Sequence, residues 1–236
     1  MTALSIVQNA CTRLGVSSPS AVFTSTDLQI VLLRNLMNQE GEELARGANF
    51  SDYAWKRLIA EQTFTATAAY VQTGAVPTDF NYILSDTFWN RTLMRQCRGP
   101  LSPEQWQQVM AIPTGSVDPW YRFRGTDLMI YPTPTAGHSM AYEYVIKNWC
   151  ASSGGTAQSA YAADTDTSYL EERLITLGII WRFQKQKGLD YAEEFRTYQI
   201  EVGKVIARDG GRKIASLSGP LPPRWRANIP ESSWAV

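Results

Sequence analysis

The sequence is poor in the residues that most catalytic and metal-binding sites require. Its 236 residues include one histidine, His138, and three cysteines, Cys11, Cys97 and Cys150, with no Cys-x-x-Cys pair. Because zinc sites are built from clustered cysteines and histidines, this pattern argues against one. An odd number of widely spaced cysteines is typical of free thiols in a reducing compartment. We therefore expect no metal and no cofactor.

Net charge and hydropathy give no indication of a nucleic-acid-binding or membrane-spanning chain. The 22 basic side chains equal the 22 acidic ones, so net charge gives no reason to expect nucleic-acid or membrane binding by the chain as a whole. No apolar run approaches the ~20 residues that cross a bilayer. The N-terminal MTALSIVQNACTRLG reads as an amphipathic helix, not as a signal peptide.

The common catalytic motifs are missing as well. No Gly-x-Ser-x-Gly elbow accompanies His138, and no Walker-type or dinucleotide-binding glycine loop occurs. Adjacent carboxylates occur in pairs on three predicted helices: Glu42/Glu43, Glu171/Glu172 and Glu193/Glu194. Neighbours on a helix point in different directions, so solvated helix faces are the better interpretation. We expect that the protein is not an enzyme, although two acids from distant segments could still form the pair of a cell-wall hydrolase.

Clear helix signals stand at the start of the chain. Apolar residues at helical spacing predict a first helix that ends at Gly15. Thr26 and Gln29 have the spacing of a capping box, so we expect a second helix from Thr26 to about Ala45. We expect Glu40, like Glu42 and Glu43, to face solvent or a neighbouring subunit.

The middle of the chain has the composition of strands and turns. Ser102 and Pro103 predict one short helix there, with Ser102 as its N-cap. A β-hairpin is expected from Trp120 to Tyr131, with its turn at Gly125. A strand follows in which Tyr142 and Tyr144 share an inward face.

Two more helices are expected before a proline-rich end. Ser168 and Glu171 suggest a capping box for the first of them, and the second starts near Asp190. The sequence thus predicts an α+β fold, in which N- and C-terminal segments form a helical bundle with an inserted antiparallel β module. The expected divisions are a bundle of residues 1–50 and 167–209, a β-rich module 51–150, a flexible loop 151–166, and an extended C-terminal docking tail 210–236.

The tail has the composition of a docking segment. It combines basic residues with large apolar ones, which are costly to leave in water and are favoured as interface anchors. Its prolines at positions 220, 222, 223 and 230 exclude a regular helix. The candidate docking residues are Arg212, Lys213, Ile214, Leu217, Leu221, Arg224, Trp225, Arg226, Ile229 and Trp234.

Several segments, in order, resemble one known family. These are VPTDF (Val76–Phe80), FWNRT (Phe88–Thr92) and the Trp-, Tyr- and Pro-rich block Gly99–Trp149. Together they are similar to the head–tail adaptors of tailed bacteriophages. The resemblance runs from the first helix to about Trp149 and is weaker through the two helices that follow.

The resemblance implies a structural protein of the virion, placed at the head–tail junction and assembled in the host cytoplasm. It implies a ring, typically a dodecamer, that docks on the portal protein, receives tail or nozzle proteins, and lets double-stranded DNA pass without sequence specificity. Another tail component, for tail completion or receptor binding, is the alternative, and a cell-wall hydrolase is a more distant one. For the tail itself, docking on the portal is inferred from composition and position.

Overall fold

The structure, a computed structural model, describes residues 2–47, 54–111 and 118–209. The helices are α1 Ala3–Leu14, α2 Leu28–Ala45, the short 3-10 helix Lys56–Leu58, α3 Pro103–Ala111, α4 Glu172–Gln186 and α5 Ala192–Asp209. The strands are β1 Ile59–Thr65, β2 Val71–Gln72, β3 Phe80–Ile83, β4 Trp89–Asn90, β5 Arg95–Gln96, β6 Trp120–Arg124, β7 Asp127–Tyr131, β8 Ser139–Ile146, β9 Cys150–Ala151, β10 Ala157–Gln158 and β11 Thr167–Ser168. The α+β fold class predicted from the sequence is confirmed.

The chain divides into two compact units, each made of separate stretches of sequence. We call the first the helical unit, which comprises Met1–Ala60, Pro77–Ile83 and Glu143–Gly210. We call the second the β unit, whose described part comprises Glu61–Val76 and Leu84–Tyr142. The finer division of the chain that the sequence suggests stays a prediction.

Helix α4 is the centre of the helical unit and packs against α1, α2 and α5. Nine of its fifteen residues are buried, including the whole run from Leu177 to Phe183. A helix that is buried on most of its circumference needs apolar residues all round, which explains why this run lacks amphipathic periodicity. Leu170, just before α4, and Leu174, Leu177 and Trp181 within it are all buried.

Two predicted helix starts are wrong, and each has a local reason. The N-cap of α2 is Asp27 instead of Thr26, because the Asp27 carboxylate accepts the Gln29 N–H at 2.8 Å. The N-cap of α4 is Glu171, whose side chain makes no capping bond. The Ser168 hydroxyl instead accepts the N–H of Leu170 at 2.9 Å and so closes a turn before the helix.

Segment 151–166, expected to be a flexible loop, contributes to packing in the helical unit. Strand β9 pairs with β10 and β11 in a three-stranded antiparallel sheet. The buried carboxylate of Asp166 accepts the N–H groups of Ala162 and Ala163 at 2.7 and 2.8 Å. Tyr161 is buried against the ring of Trp149, with the ring centroids 4.8 Å apart.

Pairs and clusters of aromatic rings form the core of the β unit. Strands β6 and β7 form the predicted hairpin, and β2 pairs with the other edge of β7. Tyr142 lies on the inward face of β8 and donates its hydroxyl to the Ala75 carbonyl at 2.8 Å. Its ring meets those of Phe88 and Phe123 edge-on, at centroid distances of 5.5 and 6.2 Å. The predicted inward orientation of Tyr142 is confirmed.

Strand β8 is the central strand of the largest sheet. Residues Met140 and Ala141 pair with β4, which in turn pairs with β5, so β5 is an edge strand. Farther along, Tyr144 pairs with β3 and stacks on Phe80 at 5.7 Å between centroids. The burial of Tyr144 on the predicted inward face is likewise confirmed.

Candidate interaction surfaces

All ten candidate docking residues of the tail lie outside the described residues: Arg212, Lys213, Ile214, Leu217, Leu221, Arg224, Trp225, Arg226, Ile229 and Trp234. What the structure describes is the point from which the tail departs. Helix α5 ends at Asp209, whose carboxylate accepts the backbone N–H of Lys56 at 2.9 Å. On the preceding turns, Lys204 and Arg208 lie 3.5 and 3.9 Å from the carboxylate of Glu201. The bond between Asp209 and Lys56 thereby connects the end of α5 to the 3-10 helix within the helical unit.

A cavity of about 280 Å³ lies beside this end of α5, and a neighbouring cavity of about 730 Å³ lies between α1 and the start of α4. Trp55 and Val205 line the smaller cavity together with Asp209. Both cavities are lined by Leu170 and Glu171, at the start of α4. This mixture of apolar and charged side chains is suited to a peptide segment better than to a small apolar ligand.

A buried charge cluster joins α2, α4 and α5 inside the helical unit. Glu40 of α2 is completely buried, and its carboxylate is 2.7 Å from the Nε of Arg182 on α4. Arg182 also contacts Glu43 at 2.5 Å, and Tyr198 of α5 donates its hydroxyl to Glu40. A buried charge needs partners of this kind, because burial without them costs several kcal/mol. The expectation that Glu40 faces solvent or a neighbouring subunit is wrong, because it is buried within its own chain.

The cluster also sets the protonation of its members. Burial raises the pKa of the Glu40 carboxyl above its ordinary value, while the charge of Arg182 opposes that rise. Burial beside the Glu40 carboxylate raises the pKa of the Tyr198 phenol, which therefore remains a hydrogen-bond donor. The neutral phenol of Tyr198 and the guanidinium of Arg182 bind the same Glu40 carboxylate and so connect three helices.

Apolar side chains are exposed at a loop of the β unit. We call residues Arg91–Met94 the β4–β5 loop; it connects β4 to β5 and presents Leu93 and Met94 to solvent. Trp89, at the start of β4, is also partly exposed. Exposed clusters of large apolar residues are typical of protein–protein contact sites.

A second exposed group lies at the turn between α4 and α5 of the helical unit. We call Leu189, Asp190, Tyr191 and Glu193 the α4–α5 corner; the side chains of Leu189 and Tyr191 are exposed and apolar. Two carboxylates therefore accompany two large apolar groups. This surface was missed from the sequence because periodicity shows which helix face is apolar but not which part of it stays uncovered.

Comparison with known families supplies the identity of the chain. The family model described as SU10 adaptor protein matches residues 1–216. The chain belongs to this family of phage head–tail adaptors. A search of curated proteins finds no match. The adaptor is accordingly a structural phage protein and a virion component.

The match includes the start of the tail but ends at Ser216, so most of the tail lies beyond the matched residues. Membership in this adaptor family implies interaction with portal and tail proteins. In the described ranges, no helix combines the length and apolar character needed to cross a bilayer.

Proposed function

We propose that the adaptor forms a ring under the portal protein and connects the capsid to the tail. The ring is a dodecamer whose channel passes double-stranded DNA, during ejection of the genome, without sequence specificity. Its opposite side receives the tail or nozzle proteins. The observation that carries this proposal is the family match over residues 1–216.

The distribution of charge supports a docking role for the tail. The helical unit contains sixteen acidic and thirteen basic side chains, whereas residues 211–236 contain one acidic and four basic ones. A neutral chain is thus divided into an acidic body and a basic end. Basic groups at the end of the chain steer it toward an acidic partner surface, and the large apolar residues between them supply affinity.

The charge cluster supports the role of the body. Three helices joined by Glu40, Arg182 and Tyr198 resist relative sliding, because any shift would leave a buried charge without its partner. Docking by a short terminal segment transmits force to a scaffold only if that scaffold is rigid. Asp209, the last described residue before the tail, accepts a hydrogen bond from Lys56 of this scaffold, which supports the proposal.

A pull-down with purified portal tests the proposal. The full-length adaptor should be retained by the portal, and a chain ending at Gly211 should not. Circular dichroism of the shortened chain is the control for folding. Retention of the shortened chain would show that the tail is not the anchor, and failure of the full-length chain to bind would contradict the proposed function.

A further inference from the structure

The side chain of Asn90, at the end of β4, is buried, and both ends of its amide have partners. Its Oδ1 accepts the N–H of Leu93 in the β4–β5 loop at 3.0 Å. Its Nδ2 lies 3.2 Å from Nδ1 of His138, the residue just before β8. Only 2% of Asn90 is exposed, so water is a poor substitute for either partner. The amide therefore connects the loop to the single histidine of the chain.

These contacts determine which nitrogen of the His138 ring carries a hydrogen. A backbone N–H only donates, so the end of the Asn90 amide that faces Leu93 must be the oxygen. The NH2 end then faces His138, and because it donates as well, Nδ1 of the ring must be the acceptor. The arrangement therefore requires a neutral imidazole with its hydrogen on Nε2.

A proton added to His138 is incompatible with this arrangement. The imidazolium carries a hydrogen on each ring nitrogen, so its Nδ1–H would face the NH2 group of Asn90. Reversing the Asn90 amide would give Nδ1–H an acceptor, but it would place the NH2 group against the N–H of Leu93. In the protonated state Asn90 can therefore satisfy His138 or Leu93, and not both.

The part of the loop that depends on the Asn90–Leu93 bond contains Leu93 and Met94. Met94 has a φ of +53°, in the left-handed region that a non-glycine residue rarely adopts. Such a conformation persists only where the surrounding contacts impose it. Loss of the bond from Asn90 therefore allows this end of the loop to relax. The other end stays fixed, because Arg91 pairs with Glu61 at 2.5 Å.

We propose that His138 and Asn90 form a pH-sensitive latch for the β4–β5 loop. Histidine is the side chain that ordinarily changes its charge between about pH 5 and pH 8. The latch is closed while His138 is neutral, and it opens when His138 gains a proton. Acid thus changes the conformation in which Leu93 and Met94, both exposed, are presented to solvent. This inference goes beyond the proposed ring and does not depend on it.

The other ionisable side chains near the latch belong to types that do not titrate in this range. The turn of residues 132–137 contains none. On strands β1, β4, β5 and β8 and in the β4–β5 loop they are Glu61, Arg91, Arg95, Tyr142, Glu143 and Tyr144. Carboxylates ordinarily titrate below about pH 5, and phenols and guanidinium groups above about pH 8. A change in the loop between these two pH values is therefore assigned to His138.

Nuclear magnetic resonance of the full-length adaptor tests the geometry without any substitution. Because the chain has one histidine, isotope-labelled imidazole gives a single set of nitrogen signals. At about pH 8 their shifts and couplings should identify the tautomer with its hydrogen on Nε2. A hydrogen on Nδ1 would overturn the proposal, since Asn90 could then not donate to that atom.

Hydrogen exchange of the Leu93 amide tests the coupling to pH. Its protection factor, in which the intrinsic exchange rate cancels, should fall roughly two- to tenfold from about pH 8 to about pH 5, the factor that one hydrogen bond ordinarily contributes. The Cys97 amide is the internal control, because it donates to the Phe88 carbonyl at 2.8 Å and should keep its protection. Leu93 protection that is constant, or that falls only in parallel with that of Cys97, would overturn the latch.

Two variants alter the coupling in opposite ways. In His138→Asn the side-chain oxygen can accept from Asn90 in place of Nδ1 but does not titrate, so Leu93 protection should no longer depend on pH. In Asn90→Asp the carboxylate can accept from both Leu93 and the imidazolium, a charge-assisted bond, so Leu93 protection should rise as the pH falls toward about 5. An unchanged pH dependence in H138N, or a fall in N90D, would overturn the proposal.

Discussion

The Nε of Arg182 lies 2.7 Å from the carboxylate of Glu40, and the pair is buried between α4 and α2. Gly178 permits this approach because it has no side chain. A Cβ at that position would overlap the Cδ of Glu40. The pair and the glycine together fix how α2 and α4 pack. The helical unit thus depends on a polar contact at its centre and not on apolar packing alone.

Replacing Arg182 with methionine should destabilise the helical unit by about 3–5 kcal/mol, because it leaves the Glu40 carboxylate buried without its cationic partner. Urea unfolding followed by circular dichroism measures the change. The matched control is Arg173→Met on the same helix, which removes an exposed cation from Glu201. Because Glu201 keeps Lys204 and Arg208 nearby, this change should cost less than about 1 kcal/mol.

The loss of unfolding free energy in R182M should also depend on pH. Burial raises the pKa of the Glu40 carboxyl in the folded state, and the charge of Arg182 opposes that rise. Without Arg182, the folded-state pKa of Glu40 should lie still farther above its unfolded-state value. The folded state then binds a proton more tightly, so the deficit should shrink as the pH falls from about 7 to about 5. A deficit that stays constant or grows over this range would contradict a buried, unpaired carboxylate.

Replacing Gly178 with alanine should destabilise the protein by about 1–3 kcal/mol or more, because the new methyl group overlaps the Glu40 side chain. Gly203→Ala on α5 is the control, since its Cβ would meet no heavy atom within 4 Å. That substitution should stabilise by about 0.5–1 kcal/mol through helix propensity. Equal effects of the two substitutions would show that α2 and α4 are not packed as described.

The three thiols should be unreactive in the folded protein. Cys11, Cys97 and Cys150 are buried, and burial raises the pKa of the Cys97 and Cys150 thiols to about 12. Because the thiolate is the reactive form, labelling by a disulfide reagent at about pH 8 should be slow until denaturant is added. Fast labelling of any one thiol without denaturant would mean that its surroundings open in solution.

The sequence predicted those elements whose signals are local. Ser102 and Gln105 exchange the two hydrogen bonds of a capping box at the start of α3, at 3.2 and 3.0 Å. The hairpin around Gly125 follows from its turn residues, since Gly125 has a φ of +60°. In both cases, the residues that determine the structure lie within a few positions of each other.

Elements that depend on distant residues were predicted less well. Glu40 lies 142 positions before Arg182, so only the folded chain shows that it is buried with a partner. Its place in α2, three residues after buried Met37 and four before buried Leu44, was the available signal. The α4–α5 corner could not be recognised for the same reason, because exposure depends on which elements cover a face.

Trp225 should be the strongest single anchor of the tail on the portal. It stands between Arg224 and Arg226 and follows two prolines, which limit the entropy lost on docking. Trp225→Ala should weaken portal binding by at least ~2 kcal/mol, measured by titration calorimetry or surface binding. Trp234→Ala, near the end of the chain, is the comparison, and an equal loss from both would show that no single tryptophan dominates.

Electron microscopy of the purified adaptor, alone and mixed with its portal, tests the central claim most directly. The adaptor alone should be a monomer or a weak oligomer, because residues 2–47, 54–111 and 118–209 give no sign of an obligate apolar interface. With portal, particles should show a twelve-fold ring of adaptor on one side of the portal, around an open channel. Portal particles that carry no adaptor, or single adaptor chains without a ring at saturating concentration, would contradict the account.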